Sequence, residues 1–334
     1  MRLGPDHYKA PEPTLGDARK LYLKEHLGAD NPDTDSRVVG LANRVIDAAI
    51  SALGRDPALS AITREDARKI RDHMLDRVKV TGRGVGGQVS AATVSRELSI
   101  ISAVVNFAKV EFGLSESVQN PFSRLPVANV AKGQGRKASE NRDPLPSDVL
   151  LATRKRVLAN GSPELALIWR LVEGTGCRLA EVTGLRLEDV VVSGDLPHIR
   201  IEPHSLRSLK TESSRPQVPL VGDAQDAAKD AVKLAEGGQM LFPSYGRPRG
   251  GDAASASLMK HLRKVSTDEK HVIHSLRHNM KDLLVLAEAA SLDQNIILGH
   301  TVGGVGDRVN GGEVAKLRAT TKVMKRAFGI DPTP

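Results

Sequence analysis

Five basic side chains stand in local contexts suited to gripping one phosphodiester: Arg178, Lys210, His274, Arg277 and His300. Arg178 follows a Gly-Thr-Gly turn in GTGCRLAEVTGLRLEDV and is expected to open a helix. The free N–H groups and positive dipole end of a helix start would add to an arginine's attraction for an anion. Taken alone, Arg178 reads better as an ordinary surface arginine after a turn. In HSLRH, His274 and Arg277 are three apart and share one face of a helix start, where both can reach a common oxyanion. His278 is adjacent and need not share that face. Lys210, in LKTESSRPQVPL, falls near the tip of an expected β-hairpin. Its ammonium could protonate a leaving oxygen or simply protect a strand edge. His300 ends an apolar run in LGH and can donate to a phosphate oxygen. Each is weak by itself, because a single histidine or arginine is usually structural. The weight lies in the set.

The elements that must position these residues divide into two kinds. After a short tail at 1–13, residues 14–130 are expected to be almost wholly helical. In the strongest helix, beginning near Ser90, Val94, Leu98, Ile101, Val105, Ala108 and Phe112 recur on one face. Gly113 and Asn120-Pro121 mark its end. Thr63 is the expected N-cap of REDARKIRDHMLDRV. LGDARKLYLKEHL and SRVVGLANRVIDAAISAL complete a four-helix unit, the latter with Val38, Leu41, Val45, Ala49 and Leu53 in its stripe. Residues 131–143, AKGQGRKASENRD, have a linker's composition. They could lie against phosphate or serve as a solvated tether. From 144 to 334, helices alternate with short β-branched strands in LEDVVVSGDLPHIRIEP and SSRPQVPLV, an α+β pattern. The final helix carries Val314, Leu317, Thr321, Met324 and Phe328 on one stripe. That stripe would pack on its own domain.

In order and spacing, TGCRLAEVTGLRLEDV, KTESSRPQVPL, HSLRH and ILGH resemble the tyrosine recombinase (phage integrase) family, over residues 14–328. The resemblance implies a mainly α, two-domain fold. An N-terminal four-helix core-binding (SAM-like) domain would clamp duplex DNA, beside an α+β catalytic domain with a small antiparallel sheet. It also implies roles. Arg178 and Arg277 would hold the non-bridging oxygens of the scissile phosphate. Lys210 would act as general acid to the 5′ oxygen, His274 would assist proton transfer, and His300 would hydrogen-bond the phosphate. Glu181 resembles the family's acidic residue after the first arginine, in a structural role. The departure is at Val309, where the family places a nucleophilic tyrosine; GDRVNGG stands where a GDRYGxG-like segment would be. Valine has no atom able to attack phosphorus. Of the three tyrosines, Tyr8 and Tyr22 lie in the N-terminal region and Tyr245 matches no nucleophile segment. Cys177 and Thr301 are nearby but show no paired base.

The 334-residue chain carries a formal net charge of +8 and a pI of about 9.6, which favours polyanionic partners. Aromatics make up 3%, too few for base-stacking platforms, so duplex phosphate contact fits better. One cysteine excludes an internal disulfide and a thiolate cluster. No secretory signal or membrane span is legible, and a cytoplasmic, nucleoid-associated location is expected. The first 13 residues are too short for a separate arm-binding domain. GRGVGG, residues 82–87, has dinucleotide-loop spacing but no preceding strand, and reads as a flexible connection. No cofactor or metal is expected.

The expectation is therefore a duplex-DNA-binding protein of the integrase type that lacks strand cleavage. It would act by binding, bending, regulation or assembly with an active recombinase partner, as a homodimer or tetramer through the C-terminal helix. An active integrase represented by a nucleophile variant, and a helical interaction protein with no DNA role, are the alternatives.

Overall fold

A computed structural model describes residues 12–32, 34–80, 85–114, 118–127, 142–204, 216–300 and 312–330. The chain divides into two compact units, residues 1–137 and 138–334.

The N-terminal unit is built from α1 (Leu15–Leu21), α2 (Ser36–Leu53), α3 (Arg64–Asp76) and α4 (Ala91–Glu111). Local chemistry sets each boundary. Thr14 and Thr63 close reciprocal capping boxes with Asp17 and Asp66. Asp35 and Ser90 cap α2 and α4, and Gly54 ends α2 in the left-handed region at φ 69°. Ala42, Val45, Ile46, Ala49, Ile70, Met74, Val94, Leu98, Ile101, Val104 and Val105 fill the core. Two helix-stripe expectations fail at helix ends. Val38 in the first turn of α2 and Phe112 at the cap of α4 are largely exposed. The buried stripe of α2 turns instead through Ala42 and Ile46, because first- and last-turn side chains overhang the core. α1 runs on into a π turn at Tyr22–His26, and Tyr22 stacks on His26 at 4.6 Å and meets Phe107 edge-on. The GRGVGG connection is not free along its described part. Lys79 N–H donates to Gly87 O and Gly86 N–H to Lys79 O, so its limbs pair antiparallel.

The C-terminal unit holds α5 (Ser147–Asn160), α6 (Pro163–Thr175), α7 (Leu179–Thr183), β1 (Val190–Val191), β2 (His198–Arg200), β3 (Gln217–Pro219), α8 (Asp223–Leu234), α9 (Gly250–Leu262), α10 (Ser275–Leu286), α11 (Ser291–Ile297) and α12 (Glu313–Ala327). The sheet is antiparallel in the order β1-β2-β3, with Ile199 opposite both Val190 and Val218. The strands are shorter than their β-branched runs, since Leu187–Asp189 forms a 3₁₀ turn instead.

α6 is the central helix, burying Leu165, Ile168, Trp169, Leu171 and Val172. α8 turns Ala224, Ala227, Ala228 and Ala231 inward. These small side chains allow close approach, and a Cβ at Gly174 would meet Ala224 Cβ at 2.7 Å. Asp223 accepts from both Arg154 and Arg170 at 2.6 Å, tying the polar ends of α5, α6 and α8. α12 packs on its own unit, with Leu317 and Met324 buried and Met324 against Met280, Leu284, Ile297 and Leu298. Val314, expected on that stripe, is 64% exposed, and Phe328 is exposed at the C-cap. Thr320 takes its place on the buried face. Among the described residues, no helix is long and apolar enough to cross a membrane.

Candidate functional site

Two glycine corners and one buried guanidinium build the site. α6 ends at Gly176, whose φ of 66° turns the chain sharply before Cys177 and Arg178. α11 ends at Gly299, φ 59°, and His300 N–H donates back to Asn295 O at 2.8 Å. Between them lies Arg277, one turn into α10 and only 6% exposed. It donates to Gly176 O at 2.9 Å and also to Leu298 O. One side chain thus joins the corner that carries Arg178 to the corner that carries His300. A guanidinium carries five N–H donors, so these two bonds do not exhaust it.

Arg178 is the N-cap of α7, as its motif predicts, but the helix start itself is not an open anion site. α7 has five residues, and Glu181 Oε2 accepts the Arg178 backbone N–H at 2.7 Å. Glu181 Oε1 also accepts from the Arg178 guanidinium at 2.5 Å. Glu181 thus holds both the backbone and the side chain of Arg178 in place. Arg178 is the more exposed of the two arginines, its side chain 45% accessible.

His274 is the N-cap residue of α10 and half-buried. Burial pushes its pKa down to about 4, helped by the charges of Arg142, His278, Arg277 and Arg178. Burial lowers that of His300 too, with Arg277, Arg178 and Lys281 acting in the same direction. At neutral pH both imidazoles are therefore uncharged. Burial is also the main cause of a lowered pKa for Arg277, followed by the charge of Arg178. These mutual effects place Arg178, His274, Arg277 and His300 within one electrostatic neighbourhood.

Lys210, in the connection between β2 and β3, and Val309 and Thr301, between α11 and α12, lie outside the described residues. Cys177 is buried beside the site, and burial drives its thiol pKa up to about 12. It is thus a protonated core side chain rather than a nucleophile. Tyr22 belongs to the aromatic cluster of the N-terminal unit, and Tyr245 packs against the core of the C-terminal unit. Among the described residues, no group of three His, Cys, Asp or Glu side chains could hold a metal ion.

Three contributors escaped the motif reading. His278 does share the His274 face, its ring edge-on at 5.4 Å, as an i, i+4 spacing could have signalled. Lys281 approaches His300, and Arg142 approaches His274. Arg142 sat within the linker-like stretch and carried no sequence signal of its own.

No family model matches the chain. The tyrosine recombinase XerD of Corynebacterium glutamicum is 27% identical over 264 residues, covering 73% of this chain and 79% of that protein. A solved lambda integrase tetramer bound to a Holliday junction superposes with a TM-score of 0.62 at 16% identity, over 89% of this chain and 80% of that one. The Tn1549 transposon integrase in complex with circular intermediate DNA gives 0.64 at 14% identity, over 92% and 99%. The chain therefore has the fold of the lambda and Tn1549 integrases, and its sequence is similar to that of a tyrosine recombinase.

Proposed function

We propose that this chain is a duplex-DNA-binding member of the tyrosine recombinase family that grips a backbone phosphate without cleaving the strand. The observation that carries the reading is the convergence of Arg178, His274, Arg277 and His300 on the two glycine corners joined by Arg277. Two arginines would neutralise the non-bridging oxygens of one phosphate. The uncharged His274 would be able to accept or pass a proton, and His300 would hydrogen-bond the phosphate. Lys210 would supply the proton that a departing 5′ oxygen requires. Val309 stands where attack on phosphorus would begin, and its side chain has no lone pair to donate.

The fold and the sequence similarity support this reading. The lambda integrase to which the fold corresponds is seen as a tetramer on a Holliday junction and as a dimer on a core site. By analogy, this chain would occupy a recombination site alone or beside an active partner in the cytoplasm. Its contribution would be binding, bending or regulation.

The test restores the missing atom. Duplexes enriched from a random-sequence pool by this chain are nicked near the bound centre, so that a released 5′-hydroxyl fragment can diffuse away. Val309→Tyr is expected to yield a protease-sensitive covalent protein–DNA adduct, with the tyrosine oxygen bonded to phosphorus and the proton passed to the leaving oxygen. The parent chain is expected to yield none. An adduct from the parent would show that another residue attacks, and the non-cleaving reading would fall.

A further inference from the structure

Arg142 is exposed at the start of the described C-terminal unit, and the backbone that carries it is fixed to the site. Asn279 Oδ1 accepts the N–H of Leu145 at 2.9 Å, and Asn279 Nδ2 donates to Leu145 O at 2.7 Å. This paired amide clamp spans 134 residues of sequence and holds Leu145 at 3% exposure. Asn279 lies on α10, two positions after Arg277. Asp143 is held in turn by Lys270 at 3.0 Å. The Arg142–Leu145 segment is thus tied to the residues that open α10 by side chains at both ends.

The charge arrangement is unlike that of the structural arginines. Arg154, Arg170 and Arg186 each have carboxylate partners. The carboxylate beside Arg142, that of Asp143, goes to Lys270, and among the described residues none pairs with Arg142. Instead its charge, with those of His278, Arg277 and Arg178, helps hold the His274 pKa down, and His278 lies edge-on to that ring at 5.4 Å. A cation near imidazoles and other cations is stabilised when an anion joins them.

We propose that Arg142 is a further DNA-backbone contact, gripping a phosphate next to the one held by Arg178 and Arg277, with Asn279 as its positioning residue. The proposal rests on the reading of this chain as a duplex binder. A phosphate contact fits the exposure of Arg142, since its guanidinium can reach outward while its backbone stays anchored. Such a contact would set register on the duplex without reading bases.

The experiment measures binding of the full chain to a fluorescent random-sequence duplex across a salt series. Arg142→Ala is expected to weaken binding roughly tenfold at low salt. It should also make the slope of log affinity against log salt shallower by about 0.9. Arg142→Lys should restore the slope but only part of the affinity. Asn279→Ala should weaken binding in the parent and add nothing further in the Arg142→Ala background, the signature of one residue acting through another. In the free protein, the His274 imidazole pKa read by NMR should rise in Arg142→Ala.

Parental affinity and slope in Arg142→Ala would overturn the phosphate contact while leaving the duplex-binding reading in place. Additive losses would remove Asn279 from its positioning role. An unmoved His274 pKa would show that Arg142 does not face the site. If the parent ignores duplexes even at low salt, the functional reading fails and this contact fails with it.

Discussion

Arg277 has two tasks that draw on the same guanidinium. Its bonds to Gly176 O and Leu298 O satisfy two buried carbonyls, and a guanidinium has further donors beyond the two used there. Lysine has a compact ammonium in place of a fork and cannot serve both corners. Arg277→Lys is expected to destabilise the C-terminal unit by about 1–3 kcal/mol, the cost of a buried acceptor left unpaired. Urea melts followed through Trp169, the single tryptophan, would measure this, because its buried indole reports on that unit. Arg178→Lys, at an exposed site, is expected to leave the midpoint nearly unmoved while still weakening duplex binding. Equal loss of stability in both variants would contradict the bolt assigned to Arg277.

The imidazoles carry the pH dependence. His274 is held down to about 4 and His300 below its usual range, so the unfolded chain protonates first as pH falls from about 6.5. Stability from these groups is present above that pH and is lost progressively toward pH 4. A phosphate beside them has the opposite effect, favouring the charged imidazole and drawing protons in on binding. Duplex affinity at fixed ionic strength is therefore expected to rise between pH 7.5 and about 5.5, and to rise less steeply in His274→Asn. Fluorescence anisotropy would show it, and a flat profile would mean that neither ring meets phosphate.

At the scale of elements, the site depends on where helices stop. α6 must end in a left-handed residue for its corner to present both a carbonyl to Arg277 and the start of α7. Gly176 meets that need with no Cβ. An added Cβ would lie 2.6 Å from Met280 Cγ and 3.1 Å from Leu298 Cδ2. Gly176→Ala combines a positive φ with that clash and is expected to cost about 1–3 kcal/mol. It should also weaken duplex binding by disturbing Arg178 and Arg277 together. Trp169-monitored urea melts and anisotropy on one preparation would check both. Full duplex affinity in a destabilised Gly176→Ala would show that the corner supports the fold but not the site. Glu181 is the second device at this scale, because it caps α7 through the Arg178 N–H while holding the arginine side chain.

Across the whole molecule, each unit has its own hydrophobic core. The net charge of +8 makes association with a polyanion salt-dependent. If binding rests on phosphate contacts, log affinity should fall linearly with log salt, by about 0.9 for each phosphate neutralised. A slope near zero on random-sequence duplex would show that the positive charge serves some other purpose.

Capping, periodicity and composition act within a few residues, so they were legible from the chain alone. The capping boxes at Thr14 and Thr63, the glycine ends, the short antiparallel strands and the four motifs that carry the resemblance all belong to this class. The expectation at Val309 lies outside the described residues. Three-dimensional packing alone decided which parts of each stripe are buried, as Val38 and Val314 show at the overhanging ends of their helices. It also paired Arg178 with Glu181 through both its backbone N–H and its guanidinium. Finally, it brought Arg277 to Gly176 across 101 residues and to Leu298 across 21. Spacing along a chain carries no information about such closures, since they depend on how separate helices pack around a common core.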